Sequence, residues 1–243
     1  MQLDKKLIAR NFDKYAHQYD ENARIQTRVA HELVSRIGEF EGEALDVGAG
    51  TGIIKQIIGK DITQIDLSPE MCKISGAICA DAEDMPFEDN SFDLVVSSLT
   101  IQWLNDLKKF CEELARVLKK NGRFSLSTFA PGTFQELAEC YQYLDGKKHL
   151  IDFTSSMKIF AAMKMAGLEG VEIHSQNITY QYRNLKEILG VMKNIGATYP
   201  VSPGKGLKGK KHFEKLENIY KAKFEGGSML PVTWQVLYAS GRG

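Results

Sequence analysis

The stretch Ala44-Leu-Asp-Val-Gly-Ala-Gly-Thr-Gly52 decides the fold, because in it a short apolar strand leads directly into three alternating glycines. Four apolar residues follow at helical spacing, namely Ile53, Ile54, Ile57 and Ile58. Such a strand-to-helix turn needs glycine, since a Cβ would block both the tight bend and the close approach of a ligand to main-chain N–H groups. The pattern predicts a nucleotide-like ligand against the bare backbone.

The glycine spacing is G-x-G-x-G, and Ile53 stands where the dinucleotide fingerprint has its third glycine, so a dehydrogenase is disfavoured. Asp46 precedes the glycines and is placed to accept hydrogen bonds from an amino group or from the loop itself. Together with Asp46, the glycines resemble the first motif of class I S-adenosylmethionine-dependent methyltransferases; they are Gly48, Gly50 and Gly52. The alternative is that they only make a tight turn between strand and helix.

The second predicted strand, Ile62-Thr-Gln-Ile-Asp66, ends in a carboxylate. An acidic residue about 20 positions beyond such glycines commonly binds a ribose hydroxyl pair, so Asp66 and the adjoining Leu67 are candidate donor-binding residues. The alternative role for Asp66 is to cap the next helix. Ser68 already meets that role, because Ser68-Pro-Glu-Met71 places an N-cap before a proline at the first helical position.

Two further apolar strands continue the pattern. The third, over residues 77–82, ends at Asp81 and Ala82, and the methyltransferase resemblance implies that these residues lie near an adenine ring. The fourth, Ser91-Phe-Asp-Leu-Val-Val-Ser-Ser98, is too uniformly apolar in its middle to have one face in water. Ligands bind beyond the carboxyl ends of such strands, so Ser98 joins the candidate donor-binding residues.

Alternating strands and helices predict an α/β fold with a doubly wound, mostly parallel, seven-stranded sheet of the Rossmann-like class I methyltransferase type and a helical substrate cap. We treat residues 1–243 as one methyltransferase domain whose cap comprises residues 1–24 and the inserted helices at about 184–226. The last strand is expected to be antiparallel. The remaining expected elements are helices at 13–19, 23–37, 106–118, 132–144, 154–166 (N-capped by Thr154), 184–195 and 212–224, and strands at 124–129 (after a turn at Asn121-Gly122), 170–182 and 231–240.

The composition is balanced. With 31 Lys+Arg against 31 Asp+Glu, the 243-residue chain has a formal net charge of zero, so nothing global indicates nucleic acid or a membrane as a partner. No apolar run has membrane-spanning length and the first residues are too polar to open a signal peptide, which predicts a cytoplasmic protein. The histidines form no H-x-x-x-H pair, so a metal site has little support. The cysteines include no C-x-x-C pair and are expected to be buried and reduced; they are Cys72, Cys79, Cys111 and Cys140.

Five segments beyond the glycine loop match one subfamily of methyltransferases. They are Phe12-Asp-Lys-Tyr-Ala-His-Gln-Tyr-Asp-Glu21, Ser97-Ser-Leu-Thr-Ile-Gln-Trp103, Thr133-Phe-Gln-Glu-Leu137, Met192-Lys-Asn-Ile-Gly-Ala-Thr198 and Leu230-Pro-Val-Thr-Trp-Gln-Val-Leu-Tyr238. With them the chain resembles, over nearly its whole length, the biotin-synthesis BioC enzymes, which are malonyl-acyl-carrier-protein O-methyltransferases. Two positions depart from the family pattern, since members often carry cysteine or glycine at Ala49 and proline at Thr51, but neither change blocks the loop geometry.

The resemblance implies transfer of a methyl group from S-adenosyl-L-methionine to the free carboxylate of a malonyl thioester, which leaves S-adenosyl-L-homocysteine. The methyl ester then primes pimeloyl synthesis for biotin, and the partner is malonyl-acyl-carrier protein or malonyl-CoA. A carboxylic acid with a pKa of about 4 is ionised at neutral pH, so no general base is needed. The protein instead aligns the reactants and strips water from the oxygen nucleophile.

Tyr19, Gln102 and Trp103 are the candidate catalytic residues, because aromatic and amide groups suit the cationic sulfonium end of the donor. In this interpretation Tyr19 closes over the donor and donates to the substrate carboxylate, whereas the alternative is ordinary helix packing. Gln102 and Trp103 follow the fourth strand, where the methyl group should point, although Trp103 would also suit a core below the loop. Lys193 and His149 are weaker substrate-side candidates, which a solvated lysine and a surface histidine explain nearly as well.

A lysine-rich stretch contrasts with the zero net charge of the chain. Between residues 204 and 224 seven lysines stand against two glutamates, a local excess of five. Because the acyl-carrier partner is strongly acidic, we expect this stretch to dock it, and the alternative is a solvated loop and helix face. The lysines are Lys205, Lys208, Lys210, Lys211, Lys215, Lys221 and Lys223.

Other functions stay open at this point. The chain is also compatible with a methyltransferase of another small acceptor such as a quinone precursor, and with a non-catalytic S-adenosylmethionine-binding protein or a nucleotide-binding oxidoreductase. Competition between malonyl thioesters and aromatic acceptors separates the first of these. Binding of S-adenosylhomocysteine without turnover would indicate the non-catalytic S-adenosylmethionine-binding protein.

Overall fold

The computed structural model describes residues 3–194, 209–224 and 229–243. The strands in these ranges are β1 (Ala44–Val47), β2 (Thr63–Asp66), β3 (Ile78–Cys79), β4 (Phe92–Ser98), β5 (Leu118–Phe129), β6 (Glu169–Tyr182) and β7 (Leu230–Arg242). The α-helices are α1 (Lys5–Tyr15), α2 (Tyr19–Asn22), α3 (Arg24–Ile37), α4 (Ile53–Ile58), α5 (Pro69–Ser75), α6 (Leu107–Val117), α7 (Gln135–Asp145), α8 (Ser156–Met165), α9 (Leu185–Asn194) and α10 (Gly209–Phe224). Short 3₁₀ helices span Ala16–Gln18 and Ile101–Trp103.

The strands form one sheet in the order β3-β2-β1-β4-β5-β7-β6. β1 is parallel to β2 and β4, β2 to β3, and β4 to β5, whereas β7 runs antiparallel to β5. All four residues of β1 are buried, as expected for a central strand that is covered on both faces. The predicted class, a mostly parallel seven-stranded sheet with an antiparallel last strand, is confirmed.

The parallel strands bring the predicted donor-binding residues to one end of the sheet, where the carboxyl ends of the strands meet. The glycine loop follows β1, Asp66 ends β2 and Ser98 ends β4. The register pairs Val47 with Ile65 in β2, so the two strands end at nearly the same level. Side chains from separate parts of the sequence are therefore neighbours at the carboxyl ends of these strands.

The third strand is shorter than predicted. β3 contains only two residues rather than the expected 77–82, and both are exposed. The chain then turns, with an isolated bridge between Asp81 and Asp84. β3 lies at the edge of the sheet, where short strands are common because a long unpaired edge invites aggregation.

The predicted turn at Asn121-Gly122 does not precede β5 but lies inside it. Asn121 has a positive φ of 67°, and the pairing of β4 with β5 changes register between Phe92 and Leu94. A Cβ at Gly122 would lie 2.9 Å from the Phe92 carbonyl oxygen. The Asn-Gly pair thus makes an irregularity within a longer strand instead of a loop.

Several helix starts also differ from the prediction by a few residues, among them those of α7 and α10, and the first helix differs most. α1 begins at Lys5, well before the expected 13–19, because the Asp4 carboxylate accepts hydrogen bonds from backbone amides of its first turn. The predicted N-cap Thr154 is wrong, since the Ser155 hydroxyl accepts the first-turn hydrogen bond of α8 at 3.4 Å. Ser and Thr are both good caps, and the sequence did not distinguish adjacent ones.

The cysteine prediction is wrong at one position. Cys79 is exposed on β3, whereas Cys72, Cys111 and Cys140 are buried, and all four are free thiols. Burial raises the pKa of the buried thiols to about 12 for Cys72 and Cys111 and to about 11 for Cys140. These three thiols are therefore protonated and poorly reactive at neutral pH.

The described residues group into two compact units. The first lies within Met1–Phe129, Thr154–Ser175 and Val236–Gly243, and the second within Ala130–Phe153 and Gln176–Gln235. In the ranges that the structure covers, no helix is long and apolar enough to cross a bilayer. Across the same ranges, no group of three or more His, Cys, Asp or Glu side chains is arranged to hold a metal ion.

Candidate active site

The three glycines after β1 all have a positive φ, of 75° at Gly48, 55° at Gly50 and 85° at Gly52. This is the left-handed region, which glycine adopts without strain. At Gly48 a Cβ would also lie 2.1 Å from the hydroxyl oxygen of Thr100. The Gly48 N–H donates to the carbonyl of Ile65 at 2.9 Å, which ties the start of the loop to β2. The backbone therefore requires glycine here, and it leaves the loop bare toward a ligand.

Asp46 is fully buried near the end of β1. Its Oδ2 accepts a hydrogen bond from the Gln64 amide at 3.0 Å, while its Oδ1 has no partner among the described residues. Burial raises the pKa of Asp46 to about 7; the Gln64 hydrogen bond opposes this rise and the Asp66 charge adds to it. A buried carboxylate oxygen without a donor is costly, and a ligand ammonium group would satisfy it.

Asp66 binds the glycine loop from the end of β2. Its Oδ2 accepts from the Gly50 N–H and its Oδ1 from the Ser68 N–H, each at 2.8 Å. Burial raises the pKa of Asp66 against the lowering effect of these hydrogen bonds. Ser68 caps α5 as predicted, its hydroxyl accepting from the Met71 N–H at 3.2 Å. The Leu67 N–H also hydrogen-bonds to this carboxylate, which leaves about one of its four lone-pair sites for a ribose hydroxyl.

The predicted adenine-side residues lie around β3. Asp81 Oδ1 accepts from the Glu83 N–H at 2.9 Å, and its Oδ2 pairs with Lys5 Nζ of α1 at 2.5 Å. Ala82 is buried and Leu67 is half-buried. The Asp81 carboxylate is thus oriented both by its own turn and by the first helix of the chain.

Ser98 lies where β4 ends. Its hydroxyl accepts from Ser127 Oγ of β5 at 3.3 Å. The neighbouring hydroxyls of Ser97 and Thr100 both donate to the Val47 carbonyl, at 2.7 Å and 3.1 Å. These contacts fix the chain after β4 beside the glycine loop.

Phe12 brings the predicted residues Tyr19 and Trp103 together. Its ring lies edge-on to Trp103 with 5.5 Å between centroids, and 6.3 Å from the Tyr19 ring. Burial raises the pKa of the Tyr19 phenol; a hydrogen bond with Gln26 opposes the rise, and the charge of Asp66 adds to it. Tyr19 is therefore a protonated phenol, able to donate but unsuited to act as a base at neutral pH.

Gln102 is braced at both ends of its amide. The amide nitrogen donates to the Leu99 carbonyl at 2.6 Å, and the amide oxygen accepts from Thr128 Oγ1 at 2.9 Å. One N–H and one lone pair are left for another partner. A direct contact between Gln102 and a substrate stays a prediction.

Sequence reasoning missed several polar residues around the loop. Asp13 Oδ1 accepts from Ser68 Oγ at 2.6 Å, and Asp20 Oδ1 accepts from Thr51 Oγ1 at 2.7 Å. These partners are 55 and 31 positions apart, so no local pattern shows them. Gln64 had a usable signal, because it lies in the middle of a short strand next to Ile65, where a buried polar amide needs a partner.

In the second unit, two of the family-like segments hydrogen-bond to each other. The Thr133 hydroxyl donates to the Gln235 carbonyl at 3.0 Å and accepts from the Gln235 N–H at 3.1 Å. The buried Glu136 carboxylate accepts from both the N–H and the hydroxyl of Thr233, at 3.0 Å and 2.5 Å. These residues are held for structure rather than exposed for chemistry.

His149 is an exposed residue of the second unit. Its ring stacks on Tyr141 with 4.1 Å between centroids, and its Nε2 lies 3.0 Å from Asp145 Oδ2. The other weak candidate, Lys193, has a side chain outside the described residues. A substrate role for either stays a prediction.

The lysine stretch is only partly covered. Lys205 and Lys208 lie outside the described residues, as does the side chain of Lys210. Lys211 and Lys215 are exposed on α10. The last two lysines of that helix are in ion pairs, Lys221 with Glu217 at 3.5 Å and Lys223 with Glu139 at 2.5 Å.

Comparison with known proteins identifies the family to which this site belongs. The family described as a methyltransferase domain matches residues 45–126, which run from β1 to β5. A Geobacter sulfurreducens protein named malonyl-acyl-carrier-protein O-methyltransferase is 31% identical over 99% of this chain and 99% of its own length. The chain belongs to the malonyl-acyl-carrier-protein O-methyltransferase family.

One further relative and one solved structure are also similar to this member of the malonyl-acyl-carrier-protein O-methyltransferase family. The biotin biosynthesis bifunctional protein BioHC of Cellvibrio japonicus is 29% identical over 97% of this chain and 50% of its own length. A solved structure from Thermotoga maritima, described as an S-adenosylmethionine-dependent methyltransferase, superimposes with a TM-score of 0.58 at 17% identity, over 96% of this chain and 99% of that one. At that identity the superposition shows the fold alone.

Proposed function

We propose that this protein transfers the methyl group of S-adenosyl-L-methionine to the free carboxylate of malonyl-acyl-carrier protein. The products are S-adenosyl-L-homocysteine and the malonyl methyl ester, which primes pimeloyl synthesis for biotin. The 31% identity, over nearly the full length, to a protein named malonyl-acyl-carrier-protein O-methyltransferase supports malonyl-acyl-carrier protein as the acceptor. The relation to the bifunctional biotin protein supports the pathway.

The observation that carries the proposal is the unpartnered Oδ1 of the buried Asp46, next to a loop with no room for a side chain at Gly48. We assign this oxygen to the ammonium group of the donor, and the Asp66 carboxylate to its ribose hydroxyls. The backbone of Gly50 and Gly52 faces the donor directly. The other donor-binding residues of the proposal are Leu67, Asp81, Ala82 and Ser98.

The donor would supply a methyl carbon bound to a cationic sulfur. The ionised acceptor carboxylate would attack this carbon in line, and the sulfur would leave as a neutral thioether. The acceptor needs no deprotonation, so the tasks left to the chain are orientation and exclusion of water. We assign Tyr19 to a hydrogen bond with the acceptor carboxylate, because the raised pKa keeps its phenol protonated. Trp103 and Gln102 form the wall beside the methyl group in this scheme.

Two acceptors differ only in the group that carries the malonyl thioester, which is either the carrier protein or coenzyme A. We place the substrate cap on residues 1–24 and the helices at about 184–226, and the carrier dock on the lysine stretch. The exposed Lys211 and Lys215 of α10 are available for such a dock. Lys221 and Lys223 already have acidic partners, so they contribute less.

The direct experiment is mass spectrometry of malonyl-acyl-carrier protein after incubation with the protein and S-adenosylmethionine. We expect a gain of one methylene unit, which fragmentation in the mass spectrometer should locate on the free carboxyl end of the malonyl group. Malonyl-CoA and an aromatic quinone precursor serve as competing acceptors in the same mixture.

A matched control separates donor binding from acceptor choice. Asp46→Asn keeps the size of the side chain but removes the charge that faces the donor ammonium, so methylation should fall while the fold persists. Methylation of the quinone precursor in preference to both malonyl thioesters would contradict the proposal. Donor binding without methylation of any of the three would contradict it as well.

A further inference from the structure

The residues before α3 form a segment that touches the donor site. We call residues 4–22 the N-terminal strap. The strap carries Tyr19, which the proposed function places on the acceptor. Directly after it, Asp20 accepts a hydrogen bond from Thr51 Oγ1 at 2.7 Å, and Thr51 is part of the glycine loop. A single hydrogen bond thus joins the donor loop to the residue beside the acceptor phenol.

Two other contacts hold the strap along the same edge of the sheet. Lys5 pairs with Asp81 Oδ2 at 2.5 Å, beside the predicted adenine position. Asp13 accepts from Ser68 Oγ at 2.6 Å, next to the residue assigned to the ribose. Each of the three contacts joins the strap to a different donor-binding segment, so the position of the strap depends on how those segments are arranged.

The part of the strap around Tyr19 has little stability of its own. α2 is a four-residue helix, and an isolated helix of this length does not form in water. Its position must come from contacts with other elements, and the Asp20 carboxylate supplies one from an exposed side chain to the buried Thr51 hydroxyl. On its other side the Tyr19 phenol is held by Gln26 of α3.

We propose that Thr51 and Asp20 are positioning residues that couple the donor loop to Tyr19, so that the phenol is fixed for the acceptor only when the loop is in its donor-binding arrangement. The inference rests on the proposed function, because that function makes Tyr19 an acceptor-side group. The inference adds to the proposed function a structural link between the donor site and the acceptor site. Removal of the link leaves the donor loop folded and releases the part of the strap around Tyr19, while the contacts of Lys5 and Asp13 stay in place.

The test is a pair of matched variants at position 51. Thr51→Val keeps the shape of the side chain and removes the hydroxyl, whereas Thr51→Ser keeps the hydroxyl. We expect T51V to lower kcat on malonyl-acyl-carrier protein by about tenfold, the loss equivalent to one hydrogen bond to a charged group. The affinity for S-adenosylhomocysteine, measured by calorimetry, should change by less than about twofold, because the backbone of the loop is untouched. T51S should retain the wild-type kcat.

Variants on the strap side give an independent check. Asp20→Ala should repeat the T51V phenotype, and the double variant should be no worse than either single one, because both remove the same interaction. Additive losses in the double variant would overturn the coupling. So would a T51V protein with full kcat, or one whose loss of donor affinity accounts for all of its loss of activity.

A spectroscopic readout separates failure of this inference from failure of the proposed function. The Phe12 ring contacts both Trp103 and Tyr19, so release of Tyr19 should loosen this packing and increase the quenching of Trp103 fluorescence by acrylamide. A Trp234→Phe background removes the second tryptophan of the chain. With S-adenosylhomocysteine bound, T51V should be quenched more than T51S. Equal quenching of the two would refute the coupling, whatever the natural acceptor proves to be.

Discussion

Donor affinity should rise with pH and level off near the pKa of Asp46. Burial raises the pKa of this carboxyl from 3.8 to about 7 in the donor-free protein. The ammonium group that we place against its free Oδ1 prefers the ionised form. Binding of S-adenosylhomocysteine must therefore displace a proton from Asp46 at pH values below about 7, and needs no proton displacement above that.

The size of the effect follows from one titrating group. Below about pH 7 the dissociation constant should fall about tenfold for each pH unit, and above about pH 7.5 it should be flat. The stability of the donor-free protein should change in the opposite direction. The folded state binds the Asp46 proton between about pH 4 and pH 7 and the unfolded state does not, so stability falls as the pH rises through this window. A shift of about 3 pKa units amounts to about 4 kcal/mol, which is lost by about pH 7.

Calorimetric titrations with S-adenosylhomocysteine between about pH 5.5 and pH 8.5 measure the first quantity, and urea unfolding over the same range measures the second. Asp46→Asn is the matched control, because an amide of the same size does not titrate. At about pH 8 this variant should unfold at higher urea concentration than the wild type and bind the donor product more weakly. An equal pH slope in the wild type and in Asp46→Asn would refute the assignment of the slope to Asp46.

Three other outcomes are expected. Asp66→Ala should weaken S-adenosylhomocysteine binding by about tenfold or more and lower the urea midpoint, because its carboxylate accepts from both the Gly50 and the Ser68 N–H; unchanged affinity in calorimetry would contradict this. Reversal of Lys208, Lys210 and Lys211 to glutamate should raise KM for malonyl-acyl-carrier protein in a salt-dependent way and spare malonyl-CoA, whereas equal losses in steady-state kinetics would indicate damage elsewhere. One thiol per folded chain, that of the exposed Cys79, should react rapidly with a disulfide reagent, and a Cys79→Ser variant that still reacts rapidly would be inconsistent with the burial of the other three.

The backbone geometry of the candidate donor site could be predicted because its determinants are local. Glycines that need a positive φ, and acids that end short strands, are visible within a few residues of sequence. The order of the sheet then brings the strand ends together. The bounds of β3 could not be predicted, because the apolar residues at 77–82 look the same at an edge as in the middle of a sheet, and the position in the sheet decides how far the strand extends.

The hydrogen bonds that join the N-terminal strap to the candidate donor site could not be predicted, because they join distant parts of the chain. An aspartate such as Asp13 or Asp20 on an amphipathic helix looks solvated in the sequence, and only the folded backbone places it against Ser68 or Thr51. The need of Gln64 for a partner, in contrast, was predictable. Its amide lies in the middle of a short strand, where it is buried, and had to find a buried acceptor, which is Asp46.

Two of the five segments that resemble the subfamily hydrogen-bond to each other. Thr133 and Glu136 of one segment hydrogen-bond to Gln235 and Thr233 of another, and three of these four side chains are buried. A buried carboxylate that accepts two hydrogen bonds from one threonine fixes the relative position of the two segments, since any shift would leave a charge without a donor. The identity of these motifs therefore reflects the way the second unit is held together.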